Sequence, residues 1–387
     1  MTNKTLYHIW LFLFGIIYYL IVPVLVIASR IWEDYPGIHI LYSYYRGEYM
    51  LGYLLLVLFV TIPFFVGAYL PIYYYRGISR PIHQYIINSR GLLIISIPLL
   101  LYGQYVIFSN RANLFQGYQI EADAPYVGTL VTINMFFLFL FLYNKFGNYS
   151  KHTNIIITLI LIELCVVVVS FGTRMYAMVT IVSILTYLLD QKLVSLKKIL
   201  LWLSIIIIFL LAVGIWRLGG DTNISFEQMI FIGIAEPTFT WISAISMYDL
   251  NELPFIAIPS NFVSSFINFI PLSLFPNKSE LISELSLNFD APLGATSVLL
   301  SLLSNFGIIG SAIAIFCLGF LLSQVRLHWK TAFGQTYYYC ICGLIPFQLF
   351  RDEFGIVNKQ LFSNFLLFPI LIFLVHRVLS LLATKVE

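Results

Sequence analysis

The chain has 387 residues, of which 60% are hydrophobic and only 10% charged, with a formal net charge of +3. That balance excludes a soluble domain, and a small positive charge scattered over loops of alternating sign gives no footprint for nucleic acid. All four cysteines (Cys165, Cys317, Cys340 and Cys342) lie in apolar runs, so there is neither a disulfide framework nor a zinc site to read. The fold class is an all-α polytopic membrane protein.

The run Ile9–Ala28 is too long for a signal-peptide core and is expected to be a retained first helix. In chain order the apolar runs predict spans at about 9–28, 50–72, 91–108, 127–144, 155–170, 175–189, 196–215, 294–322, 336–350 and 361–380, ten in all. With both termini cytoplasmic, the inner loops and ends hold Lys4, Arg76, Arg80, Arg90, Lys145, Lys151, Lys192, Lys197, Lys198, Arg326, Lys330, Arg377 and Lys385, while the carboxylates gather outside. Lysine and arginine alone set orientation, and they favour this one.

Residues 155–189 form a run of 35 residues, about 50 Å as one helix, which is more than a bilayer of roughly 30 Å needs. A break is expected at Phe171-Gly172-Thr173, making a tight helical hairpin with Arg174 at its turn. Glu163 is the only carboxylate inside any of the apolar runs. Two readings follow: a buried Glu163–Arg174 pair that fixes helix register, or an arginine held at the membrane surface to grip an anionic lipid head.

Between Trp216 and about Leu293 comes one long outer connection. It contains two mostly apolar segments, Phe226–Met247 and Phe255–Phe275, punctuated by Pro237, Pro254, Pro259 and Pro271. Proline-broken apolar segments suit protein-lined cavities better than lipid, so short helices on or dipping into the outer leaflet are expected. Two further true spans are the alternative. Otherwise the chain reads as a single integral membrane domain over 1–387 with a large periplasmic loop over 216–293.

Several motifs occur in order: SFGTR (170–174), GIWR (214–217), FIGIAEP (231–237), IPLSLFPNKSEL (270–281) and LGATSVLLSLLSNFGIIG (293–310). Their order and the size of the loop resemble the Wzy-type oligosaccharide repeat-unit polymerases, which build bacterial O-antigens and related surface polysaccharides. The resemblance covers about residues 155–322. An Arg-x10-Gly pattern found in some members does not follow Arg174, Arg217 or Arg351. The resemblance implies a GT-C-like membrane glycosyltransferase of the inner (cytoplasmic) membrane with its active site facing the periplasm. It also implies undecaprenyl-diphosphate-linked oligosaccharides as substrates, with membrane lipid, a chain-length regulator and a flippase as partners, and no cofactor.

The reaction so implied moves a growing glycan from one lipid diphosphate onto a sugar hydroxyl of the next. Diphosphate is a good leaving group, so fixed positive charge is needed more than a general acid, and the arginine fork suits phosphate oxygens. The outer arginines nearest span ends are Arg174, Arg217 and Arg351, and these are the candidate diphosphate ligands, with Arg217 also the candidate catalytic clamp. Arg30, Arg46 and Arg111 read as solvated. Glu236, just before Pro237 in an apolar stretch, is the candidate base for the acceptor hydroxyl, although hydrogen bonding or arginine pairing suits it equally. Asp290 and Glu353 are the alternatives. Glu121-Ala-Asp123 and Glu33-Asp34 have acidic spacing but no further ligands, so a metal-independent site is expected. An O-antigen ligase is the nearest rival, but no histidine lies between 216 and 293, where that family carries a functional one. A lipid-linked oligosaccharide flippase or transporter is a second rival; the internal repeats usual in transporters are absent here.

Overall fold

The computed structural model describes residues 5–31, 42–44, 47–74, 89–115, 127–146, 151–172, 174–217, 226–248, 252–270 and 274–383. In chain order these form α1 (Tyr7–Ser29), α2 (Gly47–Tyr74), α3 (Ser89–Ile95), α4 (Ile97–Ser109), α5 (Val127–Phe146), α6 (Lys151–Ser170), α7 (Arg174–Asp190), α8 (Leu196–Arg217), α9 (Phe226–Ser246), α10 (Val298–His328), α11 (Ala332–Leu344) and α12 (Phe354–Leu382). Single helical turns join them, and no strand occurs among the described residues. Among the described residues, seven helices are long and apolar enough to cross a membrane: α1, α2, α5, α6, α8, α10 and α12. This is an α-helical polytopic membrane architecture.

Three of the ten expected spans do not form a single helix long enough to cross a membrane. The run 91–108 breaks at Ser96, whose hydroxyl donates to the Leu93 carbonyl at 2.8 Å; Pro98 then opens the next helix. The run 336–350 stops at Leu344, just before Pro346, and resumes as the single turn Gln348–Arg351. The run 175–189 becomes α7, which has 17 residues. The hairpin break falls where length required it: α6 ends at Ser170, Gly172 takes φ 82°, and Arg174 opens α7. Thr173 lies outside the described residues.

Two compact units divide the chain. One comprises Met1–Ile78, Phe226–Trp329 and Leu344–Lys359. At its centre α2 and α10 cross so closely that a Cβ on Gly67 would strike the Phe316 carbonyl oxygen, and one on Gly319 the Phe64 carbonyl oxygen. Small residues permit such backbone approach where no hydrophobic force pulls helices together in lipid. Beside the crossing, Phe12 stacks on Phe64 with ring centroids 3.7 Å apart. Ser323 donates to the Ala68 carbonyl at 2.6 Å, which leaves its oxygen to accept from Nε2 of buried His8 at 3.1 Å.

The long outer connection belongs to this unit, and its two apolar segments fold differently. The first is one continuous helix, α9, of 21 residues, despite Pro237. The second becomes short turns of helix at Ser260–Ser264 and Ser265–Phe269. This broken stretch is stapled to a kink in α10. Gly307 adopts φ 70°, and Ile308 and Ile309 donate to the carbonyls of Pro254 and Phe255 at 2.9 and 3.0 Å. A Cβ there would lie 2.6 Å from the Pro254 oxygen. Next to it, the buried Asn305 side chain accepts from the Phe262 amide at 2.7 Å.

The other unit comprises Ser79–Ser225, Lys330–Gly343 and Gln360–Glu387. Its core helix is α5, where Phe136, Phe137 and Phe139 are fully buried. A helix apolar on every side belongs inside a bundle. Phe139 meets Phe333 and Phe373 at centroid distances of 4.9 and 6.3 Å, and Phe136 meets Phe368 at 5.2 Å. In this unit Glu163 accepts from Gln104 Nε2 at 2.7 Å. Of the two readings of this hairpin, the buried Glu163–Arg174 pair is not formed: Glu163 is exposed and takes a neutral donor on α4.

Candidate functional site

A polar cluster forms where α1, α9 and the turn Gln348–Arg351 meet, and each element is locally irregular for a stated reason. Pro237 carries no N–H, so the carbonyl four residues earlier, on Gly233, loses its helical partner. The Tyr18 hydroxyl supplies the missing donor at 2.5 Å. Tyr18 sits in the π-helical stretch Ile16–Ile21, a widening of the helix that recurs at functional sites. Its neighbour Tyr19, almost fully buried, stacks on Phe350 at 6.1 Å with the rings 9° apart.

Glu236, next to that proline, meets Arg351: Arg351 Nε lies 2.9 Å from Glu236 Oε1. The guanidinium also reaches Asp352, with Nη1 at 3.5 Å from Oδ1. The two pairing side chains keep access to solvent, 27% for Arg351 and 38% for Glu236, whereas Asp352 retains only 8%. The Arg351 carbonyl ends a helical turn and would lack a partner there. Thr296, from the LGATSV stretch, satisfies it twice, from its amide at 3.1 Å and its hydroxyl at 2.9 Å. The backbone carrying the arginine is thus fixed from a second motif.

Burial pushes the Asp352 carboxyl up to about 6, with the field of Glu236 and Glu353 adding and Arg351 and Gln348 opposing. Burial likewise raises Glu353 above the usual carboxylate value. Chemically, the cluster offers a solvent-accessible guanidinium, an accessible carboxylate paired with it, and a second carboxyl that carries a proton more readily than usual. A diphosphate oxygen could replace Glu236 on the guanidinium, because a planar fork accepts either anion.

Of the residues singled out from sequence, Glu236 and Arg351 are brought together. Glu236 is engaged by an arginine and open to solvent, where an apolar setting had been expected; the reason is the arrival of Arg351 from 115 positions away. Arg174 opens α7 and Arg217 closes α8, both in the other unit, and the Arg217 side chain lies outside the described residues. Asp290 is exposed and accepts from Tyr44 Oη at 2.7 Å, while its amide donates to Ser246 at 2.9 Å. Glu353 precedes α12 beside Gly355. Glu33, Asp34, Glu121 and Asp123 lie outside the described residues, as does Arg46. Among the described residues no group of three or more His, Cys, Asp or Glu is placed to hold a metal.

Sequence reasoning passed over Asp352, Tyr18 and Thr296. The adjacent charges in Arg351-Asp352-Glu353 were the one available signal for the first; the tyrosine and threonine answer gaps in distant helices and leave no local mark. Compared with family models, with curated proteins and with solved structures, the chain matches none.

Proposed function

We propose that this chain is a polymerase of lipid-linked oligosaccharide repeat units, a metal-independent glycosyltransferase acting at the outer face of a bacterial inner membrane. The reading starts from the ordered motifs described above. The observation that carries it further is the pairing of Glu236, from FIGIAEP, with Arg351. It supplies an anion-binding cation and a carboxylate within one accessible cluster.

In the proposed reaction a diphosphate oxygen of the donor lipid takes the guanidinium of Arg351 and displaces Glu236. The freed carboxylate accepts the proton of the acceptor sugar hydroxyl as that oxygen attacks the anomeric carbon. The bond between the anomeric carbon and the diphosphate oxygen breaks, and its electron pair leaves on the lipid diphosphate, which Arg351 stabilises. No cofactor enters this balance. Arg174 and Arg217 remain candidate diphosphate ligands from the sequence reading alone, with Arg217 the candidate clamp, and no step of this proposal is routed through them. Both termini lie in the cytoplasm in this reading, and the segment between α8 and α10 faces the periplasm.

The test is reconstitution. Purified full-length protein is incubated with a synthetic undecaprenyl diphosphate repeat unit, and the products are resolved by length. A ladder of lipid-linked oligomers is expected. Transfer of one unit to a lipid A core without a ladder would point to a ligase. Translocation of labelled lipid across a vesicle membrane without lengthening would point to a transporter.

A further inference from the structure

A second cationic feature lies in the same unit, built on the broken outer stretch. Lys278 is buried, and its ammonium donates to the carbonyls of Asn268 at 3.2 Å and Ile270 at 2.7 Å. The Asn268 side chain in turn donates to the Gly355 carbonyl at 2.9 Å. Lys359 lies four residues beyond Gly355, one helical turn further along α12. The helix is fixed in this rotation by Asn358, whose amide donates to Ser265 Oγ at 2.7 Å. Lys359 is part-buried and close enough for the charge of Lys278 to act on it.

Neither lysine has a carboxylate partner among the described residues. The nearest acid on this helix, Glu353, lies beside Gly355, and Arg351 pairs with Glu236 and Asp352. One buried and one part-buried lysine thus lie on segments joined through Asn268 and Gly355, and backbone carbonyls answer only the first. A side chain kept as a cation in such a place needs an anion, and burial without one is strongly unfavourable. Lysine, unlike arginine, binds phosphate as a compact point charge and does not require a planar partner.

We infer that Lys278 and Lys359 form a binding site for a phosphate-bearing group, with Asn268 as the polar bridge between them. The site does not depend on the polymerase reading. Its ligand is a phosphoryl oxyanion, supplied either by an anionic phospholipid head or by a diphosphate. Lys278 is the positioned member, fixed by its two carbonyls, and Lys359 is the member that gains a partner when the anion arrives.

The thermal unfolding of the full-length protein in a neutral detergent is followed while sodium pyrophosphate, phosphatidylglycerol or phosphatidylcholine is added, at constant ionic strength. A rise of a few degrees with either anion, and none with phosphatidylcholine, is expected from preferential binding to the folded state. A response to phosphatidylglycerol alone assigns a lipid head, and a response to pyrophosphate alone assigns a diphosphate. Lys359→Gln should abolish the rise and Lys359→Arg should keep it. Should Lys359→Gln fail to fold, native mass spectrometry of the unaltered protein decides between retained anionic adducts and none. Equal response to all three additions, or an undiminished rise in folded Lys359→Gln, overturns the proposal.

Discussion

Arg351 is held at both ends: its carbonyl by Thr296 and its guanidinium by Glu236 and Asp352. Arg351→Lys keeps the charge but loses the planar fork, so it should elongate glycan more slowly than the native protein and faster than Arg351→Ala. Steady-state ladder formation measures both. Asp352 makes a different prediction. Its folded-state value is raised to about 6 from an ordinary 3.8, so the folded protein binds the proton more tightly than the unfolded chain. The stability this supplies is full below pH 4 and is lost as pH rises through 6; in size it is about 1–3 kcal/mol. Asp352→Asn should flatten the dependence of unfolding temperature on pH across that window. An unchanged slope would move the titration to another group. Of these three side chains, Glu236 and Arg351 could be picked from sequence, since charges in apolar surroundings are rare. Their pairing could not, because nothing local in FIGIAEP specifies a partner beyond the far end of α10.

At the scale of the helix, two devices explain why the long connection keeps its shape. In α9, Tyr18 satisfies the carbonyl that Pro237 leaves open. Tyr18→Phe should cost about 1 kcal/mol, and adding Pro237→Ala, which restores the helical N–H, should recover most of it. A double-mutant cycle by chemical denaturation checks this; strictly additive effects would contradict the account. In α10, Gly307 combines a positive φ with the backbone of residues 254–256 pressed against it. Gly307→Ala should cost about 2 kcal/mol or more and expose the stretch around Pro254 to limited proteolysis. The proline punctuation of the two segments was visible in sequence, yet one stayed helical and the other broke. The difference lies in distant partners: a tyrosine completes one ladder, while the other segment pairs with a kinked helix instead.

For the whole molecule, composition alone fixed the membrane class, and the helical hairpin at Phe171-Gly172 followed from length. The number of complete crossings did not follow, because Ser96 with Pro98, and Pro346, interrupt runs that hydropathy averages over. Orientation still rests on the distribution of lysine and arginine. In cells expressing a cysteine-free protein, Ser279→Cys should react with a membrane-impermeant thiol reagent, whereas Ser195→Cys should react only after permeabilisation. Both positions are exposed, so access is decided by side of the membrane. Reaction at Ser195 in intact cells would invert the topology and put the cluster on the opposite face from the one the proposed reaction requires.

The measurement closest to the central claim is ladder growth by Glu236→Gln and Arg351→Ala, each shown to be folded, beside the native protein on synthetic undecaprenyl diphosphate repeat units. Each substitution should slow elongation by about 10²-fold or more, the scale of a lost proton acceptor or a lost charge clamp. The double variant should be little worse than either single one, because the pair acts on one transition state. Native rates in either folded single variant would contradict a shared catalytic role for Glu236 and Arg351.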